Sequence, residues 1–231
     1  MESVDDCSDI VVVADVSRTY RMGEVEVPAL KGISLTVKDG DFLIVTGRNG
    51  SGKSTLMHQL GLLDRPDSGT IYLNGQDVTA MHEKGRSVLR LRSLGYIFQE
   101  FALLAELTAL ENVMLPAMML EKTSDCRRRA KELLGTVELE GQLDHLPSQL
   151  SGGEQQKVAI ARALMNDPSV IFADEPTANL DLISAREVLD VFTMLNHESN
   201  HTIVMVTHEQ DETTYGNRLI TLSGGRIVHE E

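Results

Sequence analysis

Gly47-Arg48-Asn49-Gly50-Ser51-Gly52-Lys53-Ser54-Thr55 follows an apolar run, Phe42-Leu43-Ile44-Val45, and opens a stretch of helical composition, Ser54 to Leu60. The order is strand, glycine-rich loop, helix, and the loop fits the pattern G-x-x-x-x-G-K-[ST]. Its glycines, Gly47, Gly50 and Gly52, let the backbone bend through conformations that a Cβ would block. The N–H groups of the loop then converge on an anion, with the positive end of a helix dipole behind them. Lys53 adds a cation for the outer phosphates, and Ser54 a hydroxyl for Mg²⁺. The stretch predicts a nucleoside triphosphate site on an α/β fold.

On either side the chain alternates strand and helix signals. Ile10 to Val16 reads as a short β-branched strand, with Tyr20 beyond its end. Ala29 to Val37 alternates as a half-buried strand does. Thr70 to Leu73 is a strand closed by the turn Asn74-Gly75. Met81 to Leu91 has helical composition, and Leu94 to Phe98 is a strand ending at Gln99. One long helical region is expected from Thr108 to about Val137, opened by a Thr108/Glu111 capping box. It marks an inserted helical subdomain over residues 99–150. The core resumes with helices at 152–165 and 183–195, strands at 170–173 and 202–206, and a terminal hairpin around Gly224-Gly225. This alternation predicts helices on both sides of a mainly parallel sheet.

The 231 residues suit one large α/β domain with a modest subdomain, and 42% hydrophobic residues supply a sizeable core. A net charge of −14 argues against general nucleic-acid affinity, which rests on neutralising phosphates. The dense basic run Arg127-Arg128-Arg129 reads as a solvated helix face. Two cysteines, Cys7 and Cys126, have no metal-type spacing and are expected as free thiols in a reducing compartment. Residues 1–9 are expected to form a disordered acidic tail rather than a secretory signal. No apolar stretch approaches the roughly 18 residues of a spanning helix. The chain is therefore not expected to cross a membrane by itself.

Val170-Ile171-Phe172-Ala173-Asp174-Glu175 is an apolar strand ending in two acids. Asp174 would emerge beside the phosphate loop, where it can hold Mg²⁺, if the two strands are neighbours. Glu175, one residue on, would point toward the attacking water as general base or orienting group. Leu150-Ser151-Gly152-Gly153-Glu154-Gln155-Gln156 starts a helix, with Ser151 and Glu154 completing a capping box. Such a helix end is a second anion site. One triphosphate is already wrapped on one side by the phosphate loop. The second site makes sense only against the other side of a nucleotide held by another subunit.

In these motifs and their order, the chain resembles the ATP-binding-cassette ATPases over residues 10 to 229. The resemblance implies a P-loop NTPase core with a mainly parallel sheet, an N-terminal antiparallel β region and an inserted α-helical subdomain. The domain would run from 10 to 231, with core segments 10–98 and 151–231. Leu150 to Gln156 matches the family's signature motif. Tyr20 lies where the family stacks an aromatic on adenine, and Gln99 lies in its glutamine loop, beside the metal and γ-phosphate. Asp181, in Asn179-Leu180-Asp181, falls in the loop that crosses the dimer interface. His208 matches the switch histidine. The implied machine is an ATPase using ATP and Mg²⁺. It works as a head-to-tail homodimer in which Ser151, Gly152, Gly153 and Glu154 of one copy face the phosphate loop of the other. It would lie on the cytoplasmic face of the membrane, bound to a separate integral-membrane permease subunit.

Leu62 to Gly69, Tyr96 to Leu104 and Leu107 to Pro116 are similar to the branch serving lipoprotein release and macrolide export. The surface around Phe101 to Leu115 is the expected dock for the membrane partner, with Leu103, Leu104 and Met114 either exposed there or part of the helical core. Arg48-Asn49 departs from the usual Pro-Ser of this branch, and Lys157 replaces the usual Arg. Two other readings stay open: a regulatory switch on a membrane complex without transported substrate, and a DNA-repair or translation ATPase. The absence of a long coiled-coil insertion and the acidic charge weigh against the latter.

Overall fold

Phe42 and Ile44 face one side of a sheet, and Leu43 and Val45 the other; all four are fully buried. The same alternation holds in Val170–Asp174 and Ile203–Val206, so a single sheet separates two apolar cores. Strands buried on both faces need continuous apolar runs, which is why these segments show no polar alternation. Each buried side chain of this size contributes about 1.5–3 kcal/mol.

The computed structural model describes residues 9–120 and 125–231. In chain order the elements are β1 (Asp9–Met22), β2 (Val25–Lys38), β3 (Phe42–Thr46), α1 (Lys53–Leu60), β4 (Ser68–Leu73), β5 (Gln76–Asp77), α2 (Glu83–Ser93), β6 (Leu94–Ile97), α3 (Ala109–Met119) and α4 (Cys126–Thr136). Then come α5 (Gly152–Ala163), β7 (Val170–Asp174), α6 (Leu182–His197), β8 (Ile203–Val206), β9 (Arg218–Ser223) and β10 (Arg226–Glu230). The central sheet has the order β10-β9-β3-β8-β7-β6, parallel from β9 to β6, with β10 antiparallel at the edge. A smaller antiparallel sheet, β2-β1-β4-β5, lies over α1 and shares its core. Helices α3 to α6 build the core on the opposite face.

Three expectations change. β1 runs on through Tyr20 instead of stopping at Val16, because register shifts between Val13 and Thr19 let the polar Arg18 and Thr19 stay paired with β2, while Ser17 pairs with Ser68 of β4. The helical region comprises two helices, 109–119 and 126–136. Pro116 cannot donate to the Asn112 carbonyl, and α3 ends three residues later. The expected continuation through 121–124, like the expected tail up to residue 8 with Cys7, lies outside the described residues; Asp9 already belongs to β1. Finally, β3 and β7 are not neighbours, because β8 lies between them.

The turn Asn74-Gly75 has φ of 50° and 74°, as a tight hairpin requires. Cys126 is buried in the helical core. On α4, Arg127 and Arg128 are exposed, Arg128 pairs with Glu132 at 2.6 Å, and Arg129 pairs with Asp167.

Candidate functional site

Gly47 leaves β3 with φ 148°, and a Cβ there would come within 2.3 Å of the Leu222 carbonyl oxygen. Gly52, the N-cap of α1, has φ 109°. Only glycine fits two walls this close. The loop between them is tied by Ser51 N–H to Arg48 O (3.1 Å) and by Gly225 N–H to Ser51 O (3.0 Å). Gly50 is exposed at the tip, and the Ser51 hydroxyl is buried with no hydrogen-bond partner among the described residues. Lys53 is 5% exposed and donates to the Gly47 carbonyl at 2.9 Å. Ser54 is exposed and Thr55 half-buried on the first turn of α1.

The insertion of β8 between β3 and β7 does not separate the two motifs, because α1 packs against both β7 and β8. Lys53 Nζ lies 3.9 Å from Glu175 Oε1. Glu175 has φ 46°, and its N–H donates to Val206 O at 3.0 Å. Its Oε2 is 3.2 Å from His208 Nδ1, while His208 Nε2 is 3.2 Å from Glu209 Oε1. Lys53, Glu175 and His208 therefore form one line of contacts across the C-terminal ends of three parallel strands. Burial raises the Asp174 carboxyl above the usual range, against the lowering pull of His58; Glu175 adds to the rise and Lys53 opposes it. The Asp174 carboxylate takes no hydrogen bond from the described residues.

Gln99 is exposed just beyond β6, and its carbonyl accepts from Asn179 Nδ2 at 3.0 Å. The chain after it turns through positive φ at Phe101 and Ala102, whose carbonyls are held by the Arg162 guanidinium of α5. Ser151 is the N-cap of α5: its Oγ accepts from Glu154 N–H at 3.2 Å, and Glu154 Oε2 accepts from Ser151 N–H at 2.7 Å. That N–H holds the Glu154 carboxyl below its ordinary pKa. Glu154 is thus occupied in the cap. Gly152 and Gly153 pack beneath it, and a Cβ on Gly153 would meet Ser184 of α6 at 2.9 Å. No hydrogen bond or ion pair joins residues 151–154 to the phosphate loop among the described residues. Asp181 caps α6, accepting from the Ser184 hydroxyl (2.7 Å) and the N–H groups of Ser184 and Ile183, and these bonds lower its pKa.

Tyr20 is half-buried on β1, with its hydroxyl donating to Asp64 at 3.0 Å and the Arg18 guanidinium 4.8 Å from its ring centre. Lys157 bridges α5 to Glu187 at 3.2 Å and Glu138 at 3.7 Å, a point-charge contact that needs no planar fork. Arg48 and Asn49 are exposed, and nothing in the structure explains their departure from the usual pair.

Two further residues belong to the assembly. Gln156, fully buried, donates to the Pro176 carbonyl at 2.7 Å and ties α5 to the segment after Glu175. Glu212, 7% exposed, accepts from Thr177 and Thr207. Gln156 lies inside the stretch Leu150 to Gln156, so its position is legible in the sequence. Glu212 was hidden in the acidic run Glu209-Gln210-Asp211-Glu212, which reads as solvated charge.

For Mg²⁺ the donor chemistry fits. Ser54 and Asp174 offer hard oxygen ligands, with the Gln99 amide oxygen as a third, and the cation prefers these. For a phosphate, the fit is the orphaned Ser51 hydroxyl within a loop of N–H groups.

The chain matches the family model described as ABC transporter over residues 30–178. It is 48% identical over 225 residues to the macrolide export ATP-binding/permease protein MacB of Syntrophobacter fumaroxidans, covering 96% of this chain and 32% of that protein. It is 44% identical over 222 residues to the lipoprotein-releasing system ATP-binding protein LolD of Geobacter metallireducens, covering 96% of this chain and 99% of that protein. The chain thus spans about a third of the MacB relatives' length and nearly all of LolD. A solved dimeric ATP-binding cassette in a post-hydrolysis state, bound to ADP and Pi, superposes with a TM-score of 0.87 at 40% identity, covering 96% of this chain and 98% of that one. With the phosphate loop, the paired acids and the capped signature helix in one fold, this chain belongs to the ABC transporter family.

Proposed function

We propose that the chain binds and hydrolyses ATP as one of two head-to-tail copies that drive a membrane permease. The observation that carries this reading is the line Lys53–Glu175–His208. ATP entering the loop gives Lys53 a phosphate oxygen in place of the Gly47 carbonyl, while Tyr20 takes the adenine. Glu175 is then free to orient the attacking water or to accept its proton. His208 steadies the γ-phosphate and shares the second Glu175 oxygen. Ser54, Asp174 and Gln99 would hold Mg²⁺, which when bound neutralises charge on the β- and γ-phosphates. The α5 terminus, Ser151 to Glu154, has no partner in its own phosphate loop, so it is read as closing the site of the second copy, with Asp181 at the seam. The charged products then repel each other across that seam and favour reopening.

The permease reading draws on an apolar cleft of about 450 Å³ between α2, β6 and the end of α3. Leu63, Val88, Phe98 and Met119 are exposed along it. This differs from the expected surface around Phe101 to Leu115: Leu103 and Met114 pack partly against the helical core, and Leu104 alone of those three is exposed. No described helix is long and apolar enough to cross a membrane. The names of the MacB and LolD relatives support transport of the lipoprotein-release or macrolide-export kind as part of this proposal. The test is ATP turnover by the purified chain against Glu175→Gln. Loss of hydrolysis with nucleotide binding retained supports the reading, and equal turnover overturns it.

A further inference from the structure

Glu175 and His208 leave the sheet at the ends of neighbouring strands, β7 and β8. The strand ladder between them ends where Glu175 N–H donates to Val206 O. Beyond that point Glu175 adopts φ 46°, a conformation that a non-glycine residue keeps only when its surroundings hold it there. The Glu175–His208 contact of 3.2 Å therefore depends on what fixes two loops against each other.

A third side chain reaches both loops. In the run Glu209 to Glu212 the first three residues are exposed, and Glu212 alone turns inward. One of its carboxylate oxygens accepts from the hydroxyl of Thr177, two residues past Glu175. The other accepts from the hydroxyl of Thr207, immediately before His208, at 2.5 Å. Both threonines are buried. Thr207 is anchored in turn: its N–H donates to Val45 O of β3 at 3.1 Å, and its Oγ1 accepts from Glu209 N–H at 3.0 Å. The carboxylate thus links the Glu175 loop, the His208 loop and, through Thr207, the strand that carries the phosphate loop. Burying a carboxylate is unfavourable, and an apolar side chain of similar size would fill the space at less cost.

We propose that Glu212 is a positioning residue for hydrolysis, clamping the Glu175 loop to the His208 loop through Thr177 and Thr207 and so setting the Glu175–His208 contact. The proposal rests on the ATPase reading above. Among the described residues Glu212 bonds to Thr177 and Thr207 and makes no hydrogen bond to Lys53, Glu175 or His208. Its effect falls on the geometry of the chemical step and not on nucleotide affinity.

The test uses the full chain with three variants. Glu212→Ala removes both acceptors, Thr177→Val cuts one arm with little change of shape, and Glu212→Gln keeps the shape and one acceptor. Glu212→Ala is expected to lower kcat about tenfold to a hundredfold, as small misplacements of reacting groups do, while the Kd for a fluorescent ATP analogue changes less than about twofold. Thr177→Val is expected to lower kcat by a smaller factor and to add nothing on top of Glu212→Ala, the sign of a shared clamp. Glu212→Gln is expected to recover most of the activity. If Glu212→Ala does not fold, by circular dichroism, Thr177→Val and Glu212→Gln decide alone. Unchanged kcat in these variants, affinity falling in step with kcat, or a Gln variant no better than Ala overturns the clamp. Wild-type turnover that Glu175→Gln leaves intact overturns the ATPase reading itself. A Glu212 series that is flat while Glu175→Gln is inactive overturns the clamp alone.

Discussion

Lys53 and Ser151 stand at the starts of two helices, α1 and α5, in opposite surroundings. The N-cap of α1 is Gly52, which has no side chain to satisfy the first N–H groups. The N-cap of α5 is Ser151, whose hydroxyl takes the Glu154 N–H while Glu154 reaches back to the Ser151 N–H. Lys53 is buried against Gly47 and Glu175, whereas Ser151 is exposed. Every helix leaves donors at its first turn. The chain leaves those of α1 for a ligand and completes those of α5 partly from its own side chains. One end is a pocket made within the chain. The other is a finished, outward-facing helix end with no hydrogen bond or ion pair to its own phosphate loop among the described residues.

The sharpest way to break this contrast is at the pocket. Glu175→Gln or Lys53→Ala should lower kcat by about 10²–10⁴-fold without unfolding the chain, read by phosphate release. At the other end, Gly153→Ala should act on packing, because its Cβ meets Ser184 of α6. Overpacking of this kind costs about 1–3 kcal/mol, measured by urea unfolding. Ser151→Ala should cost about 1 kcal/mol by loss of the cap. Ser54→Ala, at a helix start with no such cap, should leave stability within about 0.5 kcal/mol and weaken Mg²⁺-dependent nucleotide binding instead. A stability loss at Ser54 equal to that at Ser151 would erase the distinction.

The smallest effect concerns pH. Partial burial raises the Asp64 carboxyl, but hydrogen bonds from Arg65 N–H, Tyr20 and Arg18 outweigh it and hold the pKa below the usual value. A depressed folded pKa contributes stability that is present above the unfolded value, about 3.9, and is lost as pH falls through the folded one. Asp64→Asn should therefore flatten the acid limb of a thermal-melt profile below about pH 4 and leave neutral stability less changed than Gly153→Ala does.

The elements legible in the sequence are those whose physics is local. The phosphate loop, the Ser151/Glu154 cap and the strand Val170–Asp174 each state their conformation in a few consecutive residues. β1 extends beyond the expected Ile10 to Val16 because its second half pairs through polar residues at a register shift, which hydrophobic periodicity does not carry. The placement of β8 between β3 and β7 is a property of topology, and local patterns carry no strand order. Tyr20 and Asp181 sit at exposed or half-buried positions with partners of their own, and no local pattern sets them apart from ordinary surface residues. Glu212 was invisible for a related reason: nothing in Glu209-Gln210-Asp211-Glu212 distinguishes the one acid that turns inward.

The central claim is that the pocket of one copy needs the finished helix end of another. Size-exclusion chromatography of Glu175→Gln, with and without ATP and Mg²⁺, tests it most directly. The account predicts a monomer without nucleotide and a dimer with ATP, returning to monomer when Ser151→Glu is added to place a charge against the phosphates. A Glu175→Gln chain that binds ATP and stays monomeric would contradict it.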